Sequence, residues 1–137
     1  KFMSEAIVRK RSADWLIIRA SALLGKYSRR NSLIKILENE GTELTLSGGS
    51  RFNYVLHSAI LEFIDTAVKA DIGGIYNAAS SGDITLGEAA AIADRKVRFG
   101  SYEYDGGNVS NGKISAVCPA FRKSSADVVR EFIKEKG

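Results

Sequence analysis

The side chains able to act as a nucleophile or a general base are few in this sequence of 137 residues. It contains one histidine, His57, and one cysteine, Cys118. A catalytic cysteine–histidine pair would require the tertiary structure to bring them together, because a helix and two strands are predicted between them. His57 lies between a predicted strand and a predicted helix. This position favours an ordinary residue at the start of a helix over a catalytic base.

Metal and phosphate sites also lack a recognisable pattern. No pair of histidine, cysteine or carboxylate residues has the spacing of metal ligands, so we predict no metal site. The glycine-rich stretch Ser47–Ser50 precedes a predicted strand, whereas a phosphate-binding loop precedes a helix. No Gly-x-Gly-x-x-Gly pattern occurs. The residues alone therefore indicate a domain without a self-contained active site.

Composition excludes several classes of protein. With 45% hydrophobic and 26% charged residues, the chain is typical of a globular protein. A single cysteine cannot form an internal disulfide, which fits the cytoplasm. No apolar run approaches the roughly 18 residues of a membrane span, and no signal peptide is evident. We therefore expect a cytoplasmic protein that does not bind membranes.

The net charge of +4 mildly favours anionic partners. The basic clusters Arg9–Arg11 and Arg29–Arg30 are short and lack interleaved aromatic residues, so we interpret them as solvated surface. We therefore expect no nucleic-acid binding, and an autonomous basic domain that binds nucleic acid stays the weakest alternative.

Helical and extended segments alternate along the chain, which predicts an α/β fold. The unbroken apolar run Trp15–Ile18 predicts a strand buried on both faces, as in a parallel sheet covered by helices. The predicted elements, in order, are a helix over 2–10, a strand over 15–18, a helix over 31–39, strands over 43–46 and 51–56, a helix over 58–69, a strand over 75–79, a helix over 86–93, a strand over 97–104 and a final helix after 124.

Three helices carry further signals. In the helix over 58–69, Leu61, Ile64 and Val68 recur at positions i, i+3 and i+7 and predict its apolar face. Thr85 and Glu88 have the Thr-x-x-Glu spacing of a capping box at a helix start. Ser124 or Ser125 is predicted to cap the final helix, whose apolar stripe comprises Val128, Val129, Phe132 and Ile133.

The first helix begins without a capping residue, and position 1 is lysine instead of an initiator methionine. We therefore expect the chain to be a fragment of a longer protein. Such a fragment would expose apolar surface on the first helix or beside Trp15–Ile18, and we expect it to self-associate.

An ordered set of short motifs extends through residues 1–93 and, more loosely, to the final helix. The motifs are Lys1–Glu5, Trp15–Arg19 followed by Gly25, Arg51–Val55, Gly74–Ala79 and Ile84–Glu88. This set resembles the extended short-chain dehydrogenases/reductases, the NAD(P)-dependent group of sugar-nucleotide epimerases, dehydratases and 4-keto reductases.

The resemblance implies the C-terminal portion of a Rossmann-like fold with a small substrate-binding lobe. Residues 1–30 would form the last part of the Rossmann domain, with the helix of the catalytic lysine and the following strand. Residues 31–137 would form the lobe, with a Rossmann strand near 74–79 interleaved. The implied function is the substrate-binding part of an NAD(P)-dependent sugar-nucleotide epimerase, dehydratase or dTDP-4-dehydrorhamnose reductase-like enzyme.

The resemblance also implies roles for individual residues. Lys1 matches the lysine of Tyr-x-x-x-Lys, which contacts the nicotinamide ribose and lowers the pKa of the catalytic tyrosine. Ala20 and Ser21 match the segment that lines the nicotinamide side of the cleft. Asn31 is placed to meet a sugar or phosphate oxygen, and Arg51 to grip the nucleotide diphosphate with bidentate hydrogen bonds.

Each of these residues also has a simpler interpretation. Lys1 would be a frayed terminus, Ala20 and Ser21 an ordinary turn, Asn31 a helix cap and Arg51 a surface residue. The isolated chain, without the tyrosine and the glycine-rich loop, is expected to be inactive and to bind no cofactor. Its partners would be a nucleotide sugar and the missing N-terminal Rossmann portion.

Two departures from the family pattern leave the branch undetermined. His57 occupies a position that is often acidic, and Leu24 replaces the more common aromatic residue before Gly25. The segment Arg19–Ser21 favours the 4-keto-sugar reductases, whereas residues 31–55 favour dehydratases and epimerases. The alternative is a degenerate, non-enzymatic member that serves as a binding or regulatory module.

Overall fold

Six α-helices alternate with eight short strands in the computed structural model, which describes residues 1–137. The helices are α1 (Phe2–Arg11), α2 (Ser32–Glu38), α3 (His57–Lys69), α4 (Leu86–Ile92), α5 (Gly112–Val117) and α6 (Ser125–Lys136). The strands are β1 (Leu16–Ala20), β2 (Ala22–Leu24), β3 (Thr42–Glu43), β4 (Arg51–Phe52), β5 (Tyr54–Leu56), β6 (Gly74–Ala78), β7 (Ile84–Thr85) and β8 (Val97–Arg98). A single 3-10 turn covers Pro119–Arg122.

The strands pair two by two. β1 runs parallel to β6, β2 to β5 and β3 to β8, whereas β4 and β7 are antiparallel. The longest ladder aligns Leu16 with Gly74 and Ala20 with Ala78. Parallel pairs need long crossover connections, and helices such as α3 supply them here. The alternating pattern therefore predicted the fold class correctly.

The predicted burial of the first strand is wrong. In β1 only Ile17 is buried, Leu16 and Ile18 are partly buried, and Ala20 is exposed. β1 pairs with β6 alone, so its other edge has no neighbouring strand. α1 buries none of its residues. The apolar surface expected on the first helix is therefore present, and self-association stays a prediction.

The predicted apolar face of α3 is also wrong. Leu61 and Val68 are 67% and 74% exposed, whereas Phe63 and Ala67 are buried. The helix carries apolar residues on two adjacent faces about 100° apart, and helical periodicity alone does not choose between them. Packing against Tyr76 of β6 selects the face that contains Phe63.

Helix caps follow the sequence signals. The Asn31 side chain accepts a hydrogen bond from Ile34 N at 3.0 Å, and the Ser124 hydroxyl accepts one from Asp127 N at 3.2 Å. Thr85 and Glu88 form the predicted capping box, with Glu88 N donating to the Thr85 hydroxyl at 3.1 Å and Thr85 N donating to the Glu88 carboxylate at 2.8 Å. In the final helix, Val128, Val129 and Phe132 are buried as predicted.

Replacing Thr85 with alanine is expected to lower the free energy of unfolding by about 1 kcal/mol, because the cap of α4 is lost. Hydrogen bonds from Thr85 hold the pKa of Glu88 below its usual value. A carboxyl group with a lowered folded-state pKa stabilises the fold above its unfolded-state pKa and loses that effect as pH falls. The difference in the free energy of unfolding between wild type and T85A, measured by urea unfolding, should therefore be smaller at acidic pH. Thr66→Ala, within α3, is the control and should change stability by less than about 0.5 kcal/mol.

Candidate functional site

A cleft of about 310 Å³ opens beyond the carboxyl ends of the parallel strands β1 and β6. Ligands of open α/β sheets bind at this end of the strands. Its walls come from the end of β1, the junction of β4 and β5, and a loop near residue 104. The lining residues that matter below are Arg19, Ser21, Phe52, Asn53, Asn77 and Tyr104.

A buried network of hydrogen bonds shapes the floor of the cleft around Asn53. The Asn53 amide nitrogen donates to Ser80 O at 3.0 Å and to Asp83 Oδ1 at 3.2 Å. Its carbonyl oxygen accepts from Ser80 N at 2.9 Å and from the Ser80 hydroxyl at 3.1 Å. The Ser125 hydroxyl lies 2.6 Å from that of Ser80 and accepts from Tyr54 N. All hydrogen-bonding atoms of the Asn53 amide therefore have partners.

An ion pair holds α1 against the cleft. The Arg19 guanidinium donates through Nε to Glu5 Oε1 at 3.0 Å and through a terminal nitrogen to Glu5 Oε2 at 2.7 Å. This bidentate contact lowers the pKa of Glu5 and raises that of Arg19. Because α1 buries no side chain, the pair is a principal link between this helix and β1.

Replacing Arg19 with lysine is expected to loosen α1, because an ammonium group does not reproduce the two parallel hydrogen bonds of a guanidinium. We expect faster amide hydrogen exchange within residues 2–11 and little change in overall stability, since the pair is exposed. Arg98→Lys, in another exposed ion pair, is the matched control. Equal exchange in wild type and R19K would contradict this role.

Aromatic residues form another wall. The rings of Phe52 and Tyr104 stack with centroids 4.9 Å apart. The Ser50 hydroxyl accepts a hydrogen bond from Tyr104 N at 3.0 Å, and an isolated bridge joins Arg51 to Asp105. The predicted strand over 97–104 is therefore wrong beyond Arg98. The second half of the predicted strand is a loop that is bonded to Ser50 and to Arg51 of β4. Through these contacts Tyr104 lies in the lining of the cleft.

The cleft contains two of the five site residues predicted from the resemblance. Ala20 and Ser21 line it, at the turn between β1 and β2. Lys1, Asn31 and Arg51 are not among the lining residues. Lys1 is exposed at the start of α1, one helical turn before Glu5.

Arg51 and Asn31 make contacts outside the cleft. Arg51 is 54% exposed, and its Nε lies 4.0 Å from Asp83 Oδ2. Asn31 caps α2 through its side-chain oxygen. The structure therefore supports the interpretation of Asn31 as a helix cap, and it does not place Arg51 beside Ala20 and Ser21.

Sequence reasoning missed Asn53, Asn77 and Tyr104. Asn53 had a local signal, because an asparagine interrupts an otherwise apolar and aromatic stretch between Phe52 and Tyr54. Asn77 likewise interrupts an apolar strand. Tyr104 had no such signal, because its position depends on pairing with residues more than 50 positions away.

Other chemistry considered from the sequence finds little support. Burial raises the pKa of Cys118, which is the opposite of what activates a thiol. His57 is the first residue of α3, as predicted. No group of three or more histidine, cysteine or carboxylate side chains is arranged to hold a metal ion. None of the helices combines the length and apolar character needed to cross a membrane.

No protein-family model matches the chain, and no curated protein matches it. Solved structures do match. The chain is similar to dTDP-glucose 4,6-dehydratase from Bacillus anthracis str. Ames in complex with NAD, with a TM-score of 0.75 and 13% identity over 99% of this chain and 49% of that one. It is also similar to dTDP-4-dehydrorhamnose reductase from the same organism in complex with NADP (TM-score 0.73, 16% identity, 100% and 54% covered).

A third match is UDP-galactose 4-epimerase, with a TM-score of 0.72 and 14% identity over 98% of this chain and 50% of that one. The chain thus spans about half the length of the structures that it matches. At these identities the likeness concerns the fold. It confirms the predicted fold class, an α/β fold that matches the C-terminal half of Rossmann-like structures.

Proposed function

We propose that this chain is the substrate-binding part of an NAD(P)-dependent sugar-nucleotide oxidoreductase, an epimerase, dehydratase or 4-keto-sugar reductase. The observation that carries the proposal is the cleft beyond the carboxyl ends of β1 and β6, in a fold shared with solved enzymes of these kinds. Ligands of open α/β sheets bind at this end of the strands.

The residues present fit only the nicotinamide end of such a cofactor. Ala20, Ser21 and Ala22 are small and leave room for a planar ring at the end of β1. The chain contains no Gly-x-Gly-x-x-Gly to hold the dinucleotide phosphates. When bound, NAD(P) would supply hydride transfer. We propose that the isolated chain does not hold the cofactor by itself and is inactive.

Lys1 is the proposed catalytic and cofactor-binding lysine. It lies four residues before Glu5, so the two side chains share a helix face. Because Glu5 binds the cleft-lining Arg19, the same ion pair holds the first turn of α1 near the cleft. The ammonium group of Lys1 would then contact the nicotinamide ribose and favour the phenolate of a nearby tyrosine.

Asn31 and Arg51 are the proposed substrate-binding residues outside the cleft. Capping occupies the Asn31 side-chain oxygen, and its amide nitrogen is free to donate to a sugar or phosphate oxygen. Arg51 is half exposed, and its guanidinium lies beside the Asp83 carboxylate. A diphosphate bound by Arg51 would therefore also lie near Asp83.

The proposed partners are an N-terminal Rossmann portion and a second copy of the chain, in the cytoplasm. α1 supplies apolar surface for either partner, because Phe2, Met3, Ile7 and Val8 are exposed. Sedimentation is expected to show association that increases with concentration. A clean monomer at high concentration would contradict self-association.

Nuclear magnetic resonance of the 15N-labelled chain tests the nicotinamide site. Nicotinamide mononucleotide is expected to shift the amides of Ala20 and Ser21 weakly and to leave that of Asp71, which precedes the opposite end of β6, unchanged. No response at Ala20 and Ser21 would overturn the proposed site and favour the non-enzymatic binding module. Tight binding of NAD by the isolated chain, or turnover of a nucleotide sugar, would overturn its proposed role as an incomplete part.

A further inference from the structure

The strands β1 and β6 pair with each other, so each of them has one outer edge. The Trp15 carbonyl and the Ser21 N–H, at the two ends of β1, both bond to β6 at 3.0 Å. Successive residues of a strand alternate in the direction of their backbone groups, so every second residue bonds to the neighbouring strand. The N–H and C=O groups of Leu16, Ile18 and Ala20 therefore point to the outer edge of β1.

The outer edge of β6 is covered. Lys113, on α5, donates to Ile75 O at 2.8 Å, and the side chain of Asn111, just before this helix, donates to Ala79 O at 3.0 Å. A lysine on an edge strand opposes pairing with another chain. This side of the sheet is therefore closed to a further strand.

The outer edge of β1 has none of these protections. No loop and no side chain bonds to the backbone of Leu16, Ile18 or Ala20. The strand contains no proline, and its register with β6 is continuous, without a bulge. Its one charged residue, Arg19, is paired with Glu5. An edge of this kind is a template for an added strand.

The edge is also complementary to itself. Two copies related by a two-fold axis perpendicular to the sheet align their edge strands antiparallel. With the axis at Ile18, this residue meets its own copy and Leu16 meets Ala20, which gives about six hydrogen bonds. Arg19 then faces Ile17 of the other copy, so no like charges are opposed, and the β-branched side chains of Ile18 form a favourable cross-strand pair.

We infer that the outer edge of β1 is an interaction surface for a second copy of the chain, which adds its own β1 antiparallel and joins the two sheets into one of four strands. This inference rests on the second copy proposed above as a partner, and it places the contact on β1 instead of α1. Pairing of five residues buries less surface than the interface of a stable dimer, so the dimer is weak and forms at high concentration. Because Ala20 lines the cleft, the second copy also fixes the backbone at one of its walls.

Amide hydrogen exchange of the 15N-labelled chain, followed at low and at high concentration, tests this pairing. The amides of Ile17 and Arg19 face β6 and should be protected at both concentrations. Those of Leu16, Ile18 and Ala20 should exchange at least about fivefold more slowly at high concentration, because pairing gives them acceptors. Equal exchange of these three amides at both concentrations would overturn the inference.

Replacing Ala20 with proline removes one outward N–H and leaves the hydrogen bonds to β6 in place, since an edge strand accepts proline where the N–H faces solvent. In sedimentation, A20P should stay monomeric at concentrations where wild type dimerises. Ile7→Ser, at an exposed apolar position of α1, is the matched control and should dimerise like wild type. Protection of the Ile17 and Arg19 amides shows whether β1 is intact in A20P, and if it is not, the exchange pattern of wild type decides alone.

The outcomes separate this inference from the proposals above. A dimer that is kept in A20P but lost in I7S would overturn pairing through β1 and support self-association through α1. A wild-type chain that stays monomeric at high concentration would overturn both and leave the edge of β1 for a strand of a different chain. The titration with nicotinamide mononucleotide, performed at low concentration, tests the ligand site independently of either.

Discussion

Replacing Phe63 with alanine is expected to lower the free energy of unfolding by about 3–5 kcal/mol. The Phe63 ring is completely buried. It packs at 4.9 Å between centroids against Tyr76 of β6 and, edge-on, at 6.2 Å against Phe121. Truncation leaves a cavity where α3, β6 and the 3-10 turn meet, and the aromatic pairs are lost as well. Urea unfolding measures the change.

Leu61→Ala is the matched control on the same helix. Leu61 is exposed, so this truncation should change the free energy of unfolding by less than about 0.5 kcal/mol. Equal losses for F63A and L61A would mean that α3 is covered on both faces. A larger loss for L61A would mean that α3 packs by the face predicted from Leu61, Ile64 and Val68.

Replacing Asn53 with aspartate is expected to lower the free energy of unfolding by about 3–5 kcal/mol at neutral pH. The carboxylate would face the Ser80 carbonyl oxygen and the Asp83 carboxylate, which the amide nitrogen of Asn53 now binds. Two acceptors would thus replace a donor and an acceptor in a buried site.

The pH dependence of N53D follows from the same contacts. Burial and the neighbouring Asp83 carboxylate would raise the pKa of the new carboxyl group in the folded state. A carboxyl group whose pKa is higher in the folded state than in the unfolded state stabilises the fold at low pH, and this stabilisation is lost as pH rises. N53D should therefore be less destabilised at pH 4 than at pH 7 in urea unfolding. Asn108→Asp, in an exposed loop, should show no such difference, and a pH-independent loss in N53D would contradict this account.

Short-range features were predictable from the sequence because their partners lie within one turn of the chain. The caps at Asn31, Thr85 and Ser124 each involve a backbone N–H three residues away. The alternation of helices and strands, and hence the α/β fold, depends on the same local periodicities. Ala20 and Ser21 could be located beyond the end of β1 because the end of a strand is itself a local feature, whereas their role as nicotinamide-site residues stays a prediction.

Other features depend on contacts far along the chain. The buried face of α3 is set by Tyr76 and Phe121, and the incomplete burial of β1 by its single neighbouring strand, β6. The second half of the predicted strand over 97–104 became a loop because Tyr104 is held by Ser50, 54 positions away.

The sequence by itself determined the order of the elements, their caps and the edge of the sheet where a cleft would form. Only the tertiary structure decided the charge of that cleft. It paired Arg19 with Glu5, turned Arg51 towards Asp83 and brought Asn77 and Tyr104 together. Periodicity and capping act over a few residues, whereas the charge pairs and the lining of a cleft depend on which distant side chains meet there in the folded chain.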